Sequence, residues 1–135
     1  GVHIPFEKGL LGHSDGDALC HAIIDSIIGA LGLGDIGKYF PDTDPKWKDA
    51  SSIELLRRIV ELTREYRYEI SNIDTTIVTE MPKLSPYIES MKKAISQSGI
   101  PSGLINIKAK TNEGMGFIGR GEGIAVYAVC LLKGM

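Results

Sequence analysis

The first clear pattern along the chain is a helical repeat of apolar residues between positions 17 and 31. The repeat consists of Ala18, Ala22, Ile23, Ile27 and Leu31. This spacing predicts an amphipathic helix, and the preceding Ser14 and Asp15 are candidate N-caps. Glycines at positions 32, 34 and 37 end the pattern, and residues 40–45 form an acidic loop. A long acidic loop of this kind often has a functional role.

Two further helices are predicted from their start signals. Residues 51–54 (SSIE) have the capping-box pattern, in which the serine and the glutamate each bond a backbone amide of the first turn. A helix is therefore predicted from there to about Tyr66. The Ser85-Pro86 pair predicts the start of a third helix, with proline at its first position, and Gly99 predicts its end.

Three segments have the pattern of β-strands. Polar and apolar residues alternate over residues 70–80 and again over residues 104–111. Residues 123–132 are almost continuously apolar, which predicts a closing strand covered on both faces. An edge strand is also predicted at residues 2–4.

The order of these elements predicts a single α/β domain of the two-layer α+β type over residues 1–135. No linker or internal repeat divides the chain, which predicts one domain. In this domain the helices are predicted to pack on one face of a mixed β-sheet. Three helices cover one side of the sheet, so the opposite face needs another partner. An oligomer that packs sheet against sheet would supply it.

Composition and charge exclude several classes of protein. Fifteen Lys and Arg against seventeen Asp and Glu leave a net charge of −2, which argues against a nucleic-acid binder. No apolar run approaches the roughly 20 residues of a membrane span, so no membrane partner is predicted. Cys20 and Cys130 lie in apolar stretches and are predicted to be buried thiols of a reducing compartment.

The densest polar cluster is HSDGD followed by His21. Asp17 and His21 are four residues apart on one helical face, where the carboxylate can orient the imidazole or share a cation with it. A helix cap followed by a surface histidine explains the same residues equally well. A phosphate near Ser14 would also suit the positive end of the helix dipole.

Other polar residues also have both a structural and a functional interpretation. Asp35, Asp42 and Asp44 are either turn caps or contacts to a substrate. Thr111 and Glu113 follow a strand, a common place for substrate contacts, although turn chemistry explains them too. The glycine-rich stretch around residue 120 is a weak phosphate-binding signal. The sequence has no nucleophile elbow and no cysteine in a polar setting that would activate it. The carboxylates and the anion-binding backbone therefore favour phosphoryl transfer over covalent nucleophilic catalysis.

Four separated motifs follow one another along the chain: GLLGHSDGDALCH at residues 9–21, GDIGKYFPDTDP at residues 34–45, Pro82-Lys83, and GFIGRGEG at residues 116–123. Together and in this order they resemble the family of 2-C-methyl-D-erythritol 2,4-cyclodiphosphate synthases. The resemblance covers essentially the whole chain. It implies an enzyme of the non-mevalonate isoprenoid pathway, a phosphorus–oxygen lyase that is a homotrimer with active sites between adjacent subunits and sheets facing its centre.

The implied reaction converts 4-diphosphocytidyl-2-C-methyl-D-erythritol 2-phosphate into 2-C-methyl-D-erythritol 2,4-cyclodiphosphate and CMP. The 2-phosphate attacks the β-phosphorus in a metal-assisted step. The implied metals are one Zn²⁺ per active site, held in part by His21, and a second cation, Mg²⁺ or Mn²⁺, held by Glu113. The catalytic residues implied are His13 and Thr111.

The resemblance also implies an extensive set of substrate contacts. Phosphate and methylerythritol groups would be held by His13, Ser14, Asp35, Ile36 and Gly37, and by a loop of Phe40, Pro41, Asp42, Thr43 and Asp44. A cytidine pocket would be formed by Thr79, Glu80, Met81, Pro82, Lys83, Leu84 and Ser85 of the neighbouring subunit. Further contacts would come from Lys110, Thr111, Asn112 and Glu113. Phe117 and Arg120, with Glu122, would lie at the mouth of a central cavity that holds isoprenoid diphosphates in some members.

Two departures from the family pattern accompany this resemblance. The family's other zinc ligands come from an Asp-x-His on a first strand, and this sequence contains no Asp-x-His. We therefore expect that the chain lacks its first β-strand. Lys110 also replaces a small hydroxylic residue that is common before the threonine.

Two other functions remain open at the level of sequence. One is a non-catalytic trimer that binds CMP or isoprenoid diphosphates, and the other is a nucleotide phosphohydrolase that uses the same carboxylates. The expected location is a bacterial cytoplasm, or a plastid stroma if the source is a plant or alga.

Overall fold

The computed structural model describes Val2 and residues 17–135. In these parts of the chain the helices are α1 (Ala18–Leu31), α2 (Ile36–Tyr39), α3 (Ser52–Glu65), α4 (Ile88–Ser96) and α5 (Gly116–Gly119). The strands are β1 (Tyr68–Val78), β2 (Ile105–Lys110) and β3 (Ala125–Gly134). Three short 3₁₀ turns lie at Pro45–Trp47, Ser85–Tyr87 and Ser102–Leu104.

The strands form a mixed sheet with the order β2-β1-β3. β1 pairs in parallel with β2, from Ile73 opposite Ile105 to Val78 opposite Lys110. β1 pairs antiparallel with β3, and the register shifts between Ile70 and Asn72. The predicted two-layer α+β fold with a mixed sheet is therefore confirmed.

The core lies between one face of this sheet and the helices. α1 contacts β3 and α3, and α3 contacts β1, so the two long helices form one layer against the sheet. Four isoleucines of α1 are fully buried there, Ile23, Ile24, Ile27 and Ile28. They meet the inward side chains of β1, where Thr75 donates a hydrogen bond to the Asn106 carbonyl across 2.9 Å.

The opposite face of the sheet is open in the single chain. Tyr127, Val129 and Leu131 of β3 point to it and are 66%, 70% and 62% exposed. Within the single chain the described helices cover one face of β3, and the predicted cover of its second face is left to another subunit. An apolar strand face of this kind is characteristic of a surface that another molecule covers.

Several predicted element ends differ from the observed ones. Asp17, rather than Ser14 or Asp15, caps α1, and its Oδ1 accepts a hydrogen bond from the Cys20 amide at 3.0 Å. Ser51 lies at the N-cap of α3 but makes no side-chain cap bond, and its predicted partner Glu54 instead pairs with Arg57. The capping-box prediction is therefore wrong.

Two predicted loops contain short helices, α2 and α5. The Ser85-Pro86 pair starts a 3₁₀ turn that leads into α4, which ends three residues before Gly99. Of the predicted edge strand at residues 2–4, Val2 is not in a strand but packs against the core. Residues 3 and 4 lie outside the described residues.

Neither cysteine is part of a disulfide, as predicted. Cys20 is fully buried in α1, whereas Cys130 of β3 is half-buried. Burial raises the pKa of the Cys130 thiol to about 11. This thiol is therefore protonated at neutral pH, which agrees with the view that it is not a nucleophile.

An ion pair on the open sheet face makes stability depend on pH. Lys108 and Asn106 donate hydrogen bonds to the Asp74 carboxylate at 2.7 and 2.9 Å and lower its pKa below the ordinary 3.8. A lowered pKa in the folded state stabilises the fold above the unfolded-state pKa, and the effect is lost as the pH falls through the folded-state pKa. The free-energy gap between wild type and Asp74→Asn in urea unfolding should therefore be largest near neutral pH and close below about pH 4. A gap that stays constant down to pH 2.5 would contradict this account.

Candidate active site

A cavity of about 340 Å³ lies where α1, α2, the following loop and α3 meet. It is lined by His21, Ile36, Gly37, Phe40, Pro41, Asp42, Thr43, Trp47 and Leu55. The structure thus brings a predicted metal ligand together with two segments that were predicted to contact substrate. These segments are 15 or more positions from His21 in the chain, so the fold creates their proximity.

His21 reaches this cavity from the first turn of α1. Its backbone amide donates to the Asp17 carbonyl at 3.1 Å, and the Asp17 carboxylate caps the helix through the Cys20 amide. The cap fixes where α1 starts and therefore which face carries the half-buried His21. The helix cap is therefore Asp17 and not the predicted Ser14 or Asp15, and His21 lines the cavity.

The aspartates around α2 and the acidic loop either cap a backbone amide or line the cavity. Asp35 caps α2 by accepting from the Lys38 amide at 3.2 Å, and Asp44 accepts from the Lys46 amide at 3.0 Å. Asp25 of α1 accepts from the Ile36 amide at 2.7 Å and so attaches α2 to α1. Asp42, by contrast, lines the cavity and is exposed.

Aromatic side chains form one wall of the cavity. The rings of Phe40 and Trp47 meet edge to face, with centroids 4.8 Å apart and an interplanar angle of 81°. The Lys46 ammonium lies 4.7 Å from the Trp47 ring centroid. Trp47 and Leu55 were not predicted as site residues. The available signal was that the chain's single tryptophan lies two residues after the acidic loop.

A second polar cluster lies where β1 and β2 end. The Thr79 amide donates to the Lys110 carbonyl at 2.9 Å, and the Thr79 hydroxyl donates to the Met81 carbonyl at 2.9 Å. The Glu80 carboxylate accepts from the amides of Asn112 and Gly114, at 2.9 and 3.0 Å. The structure thus joins two segments that were predicted to bind substrate.

The turn that follows β2 has a defined internal geometry. The Thr111 hydroxyl oxygen accepts from the Glu113 amide at 3.3 Å, and Glu113 has a φ of 52°. The Asn112 side-chain amide donates to the Met115 carbonyl at 2.7 Å. The side chains of Thr111 and Glu113 remain exposed on this turn.

The remaining residues that were predicted to contact substrate differ in how exposed they are. Met81, Lys83 and Ser85 are exposed, whereas the Leu84 side chain is in the core and leaves its backbone for any contact. Phe117 is exposed, and the Arg120 guanidinium pairs with the Glu122 carboxylate at 3.1 Å.

The two polar clusters are separate within one chain. None of residues 79–85 or 110–113 belongs to the described lining of the cavity. His13 and Ser14 lie outside the described residues. Among residues 17–135 no three His, Cys, Asp or Glu side chains form a group that would hold a metal ion. Of the predicted metal ligands, His21 and Glu113 therefore lie in different clusters. In the described chain, no helix is long and apolar enough to cross a membrane.

The mixed sheet, the histidine cavity and the turn after β2 define a small α+β domain with the polar groups of a phosphate-handling enzyme. The model of the YgbB family matches residues 1–133, and the chain belongs to this family. It is 58% identical over 133 residues to the 2-C-methyl-D-erythritol 2,4-cyclodiphosphate synthase of Clostridium acetobutylicum. That alignment covers 98% of this chain and 86% of the relative. The resemblance stated from the motifs is thereby confirmed.

Solved structures agree with this relationship. The bifunctional IspDF of Campylobacter jejuni matches with a TM-score of 0.94 at 45% identity, over 100% of this chain and 37% of that chain. A 2C-methyl-D-erythritol-2,4-cyclodiphosphate synthase in its CDP-bound form matches with a TM-score of 0.87 at 35% identity. That match covers 98% of this chain and 87% of the other.

Proposed function

We propose that this chain catalyses the reaction for which its relatives are named, formation of 2-C-methyl-D-erythritol 2,4-cyclodiphosphate in the non-mevalonate pathway. The observation that carries the proposal is the cavity, in which His21 and the two substrate motifs of α2 and the acidic loop meet. Identity of 58% to a synthase over 98% of the chain supports the same activity.

The proposed chemistry is an intramolecular phosphoryl transfer. An oxygen of the substrate's 2-phosphate forms a bond to the β-phosphorus, and the bond from that phosphorus to the bridging oxygen breaks. The electron pair leaves with the bridging oxygen as CMP, and the two phosphates of the product form a ring. Such a reaction requires positioning and neutralisation of charge more than a covalent intermediate on the protein.

Thr111 is suited to bind the developing charge. Because its oxygen accepts from the Glu113 amide, the hydroxyl proton points away from that amide and is available to another acceptor. A phosphate oxygen is such an acceptor, and a donor aimed at it lowers the barrier as charge accumulates. This geometry supports the role of Thr111 as a catalytic residue.

The proposed active site also binds two metal ions. The described residues give one candidate zinc ligand, His21, which is fewer than the three protein ligands of a catalytic zinc site. The resemblance assigns the other ligands to an Asp-x-His, which this sequence does not contain. A bound divalent ion would act as a Lewis acid on a phosphoryl oxygen. The exposed Glu113 carboxylate is the proposed ligand of a second ion, Mg²⁺ or Mn²⁺.

A homotrimer would combine the two polar clusters. Each cluster is incomplete alone, and the apolar face of Tyr127, Val129 and Leu131 needs a partner. We propose that adjacent subunits join the cavity of one chain to residues 79–85 and 110–113 of the next. Phe117 and Arg120 would then lie near the threefold axis, where an isoprenoid diphosphate is the proposed ligand. Sedimentation equilibrium tests the trimer by its mass. A cytoplasmic location remains a prediction.

The nucleotide pocket yields a specific prediction. Lys83 is exposed and follows Thr79 and Met81 in the chain, and CDP is bound in a solved relative. Lys83→Ala should weaken CDP binding about tenfold in calorimetry, because a charged hydrogen bond to phosphate is lost. Lys93→Ala, an exposed lysine of α4, is the matched control and should bind CDP as wild type does. Equal CDP affinity of Lys83→Ala and wild type would argue against this pocket.

The products of the reaction test the proposed activity. Incubation with 4-diphosphocytidyl-2-C-methyl-D-erythritol 2-phosphate and Mg²⁺ should release CMP in equal amount to the cyclic diphosphate, with no inorganic phosphate. Release of inorganic phosphate would instead indicate a phosphohydrolase. Binding of CDP without turnover would indicate the non-catalytic trimer.

A further inference from the structure

We propose that Glu80 is a positioning residue that fixes the turn carrying Thr111 and Glu113, rather than a contact to the nucleotide. The inference rests on the proposed function, because it concerns how the catalytic turn is held. Its basis is that one carboxylate spans two alternate backbone amides of that turn.

Glu80 lies at the point where the parallel ladder between β1 and β2 stops. The last residue pair is Val78 opposite Lys110, followed by one further bond from the Thr79 amide to the Lys110 carbonyl. Beyond that bond, no backbone hydrogen bond between these two segments is found among the described residues, and the turn has one of its own, from the Met115 amide to the Asn112 carbonyl at 3.0 Å. There the two oxygens of the Glu80 side chain, rather than backbone carbonyls, accept the Asn112 and Gly114 amides.

Three consecutive amides of the turn are thereby occupied by side-chain oxygens. The Asn112 and Gly114 amides donate to Glu80 Oε2 and Oε1, and the Glu113 amide between them donates to the Thr111 hydroxyl. Glu113 has a φ of 52°, a conformation that non-glycine residues adopt at a cost. The bonds on either side compensate for this cost and hold the residue in place.

This arrangement has consequences for the proposed catalytic groups. If the two amides are released, the turn can relax, and the Thr111 hydroxyl loses the amide that directs its proton. A shift of about 1 Å in a positioned group can lower a rate about 100-fold. We expect CDP binding to depend on other groups, because both Glu80 oxygens accept backbone amides of its own chain and a carboxylate has no proton to donate to a phosphate.

Two variants of Glu80 test the proposal in the full-length protein. Glu80→Ala removes both acceptors, whereas Glu80→Gln keeps one oxygen that can accept a single amide. We expect kcat to fall about 100-fold in Glu80→Ala and about tenfold in Glu80→Gln. The calorimetric Kd for CDP should stay within about twofold of wild type in both. Glu89→Gln, at an exposed glutamate of α4, is the control and should retain wild-type kcat.

Amide hydrogen exchange gives a second readout that does not depend on activity. In both variants the amides of Asn112 and Gly114 should lose protection, more in Glu80→Ala, while amides within β1 keep theirs. This result would stand even if the chain lacked cyclase activity, so the two proposals can fail separately. Unchanged protection at residues 112 and 114 would overturn the positioning role. A loss of CDP affinity that accounts for the lost activity would overturn it as well, in favour of a nucleotide contact.

Discussion

Replacing Gly119 with alanine is expected to lower cyclase turnover about 100-fold and to destabilise the fold by about 1–3 kcal/mol. A Cβ at this position would lie 2.1 Å from the Gly114 carbonyl carbon and 2.6 Å from its oxygen. Both are backbone atoms, so no side-chain rotation can relieve the clash. Gly114 also donates its amide to Glu80, and its displacement would therefore move the turn that carries Thr111 and Glu113.

Steady-state kinetics and urea unfolding of Gly119→Ala check this expectation. Gly29→Ala is the matched control, because a Cβ there meets nothing within 4 Å and the residue lies in α1. Alanine is a better helix former than glycine, so the control should gain about 0.5–1 kcal/mol without loss of activity. If Gly119→Ala kept wild-type turnover, the close approach of α5 to the turn would have no catalytic importance.

Replacing His21 with alanine is expected to remove bound zinc and to lower kcat at least about 100-fold. Among the described residues that line the cavity, His21 is the candidate zinc ligand. A catalytic zinc site that loses one of its ligands binds the metal much more weakly. The free energy of unfolding of the metal-free protein should change by less than about 1 kcal/mol, because the side chain is only half-buried.

Elemental analysis and unfolding on the same samples separate these effects. Ser26→Ala, on the same helix, is the control and should keep both zinc and activity. Chelation of wild type should reproduce the His21→Ala activity, and added Zn²⁺ should restore the wild type alone. A His21→Ala protein that kept its zinc would show that the metal is held elsewhere, and one that failed to fold would give the residue a structural role instead.

The regular elements could be predicted because their patterns are local. α1 has its apolar residues at helical spacing, and β1 and β2 alternate, so the burial that the fold imposes is already visible in the sequence. The mixed sheet and the helices on one face followed from the order of these elements. The apolar character of β3 predicted cover on two faces; the single chain covers one, and the second was predicted to pack in an oligomer.

The short elements could not be predicted, because tertiary contacts stabilise them. α2 has only four residues and depends on caps from Asp35 and, across eleven positions, from Asp25. α5 lies in a glycine-rich stretch whose composition predicts a loop. A helix of four residues has no apolar period long enough to recognise.

The candidate site was predicted in its residue types but not in its connections. The motifs named His21 and the acidic loop, and the fold places them around one cavity. The bonds from Glu80 to residues 112 and 114 span more than thirty positions of sequence and leave no periodic signal. Asp17 was predicted to orient His21 or share a cation with it, and Asp35 to cap a turn or contact substrate. Hydrogen bonds from nearby backbone amides show that both carboxylates cap helices.

The most direct test of the central claim is the reaction run in water enriched in ¹⁸O, with mass spectrometry of both products. Attack by the substrate's own 2-phosphate uses no water. The account therefore predicts CMP and a cyclic diphosphate that both lack the label. Label in either product, or an open-chain bisphosphate in place of the ring, would mean that water is the nucleophile and would contradict a cyclodiphosphate synthase.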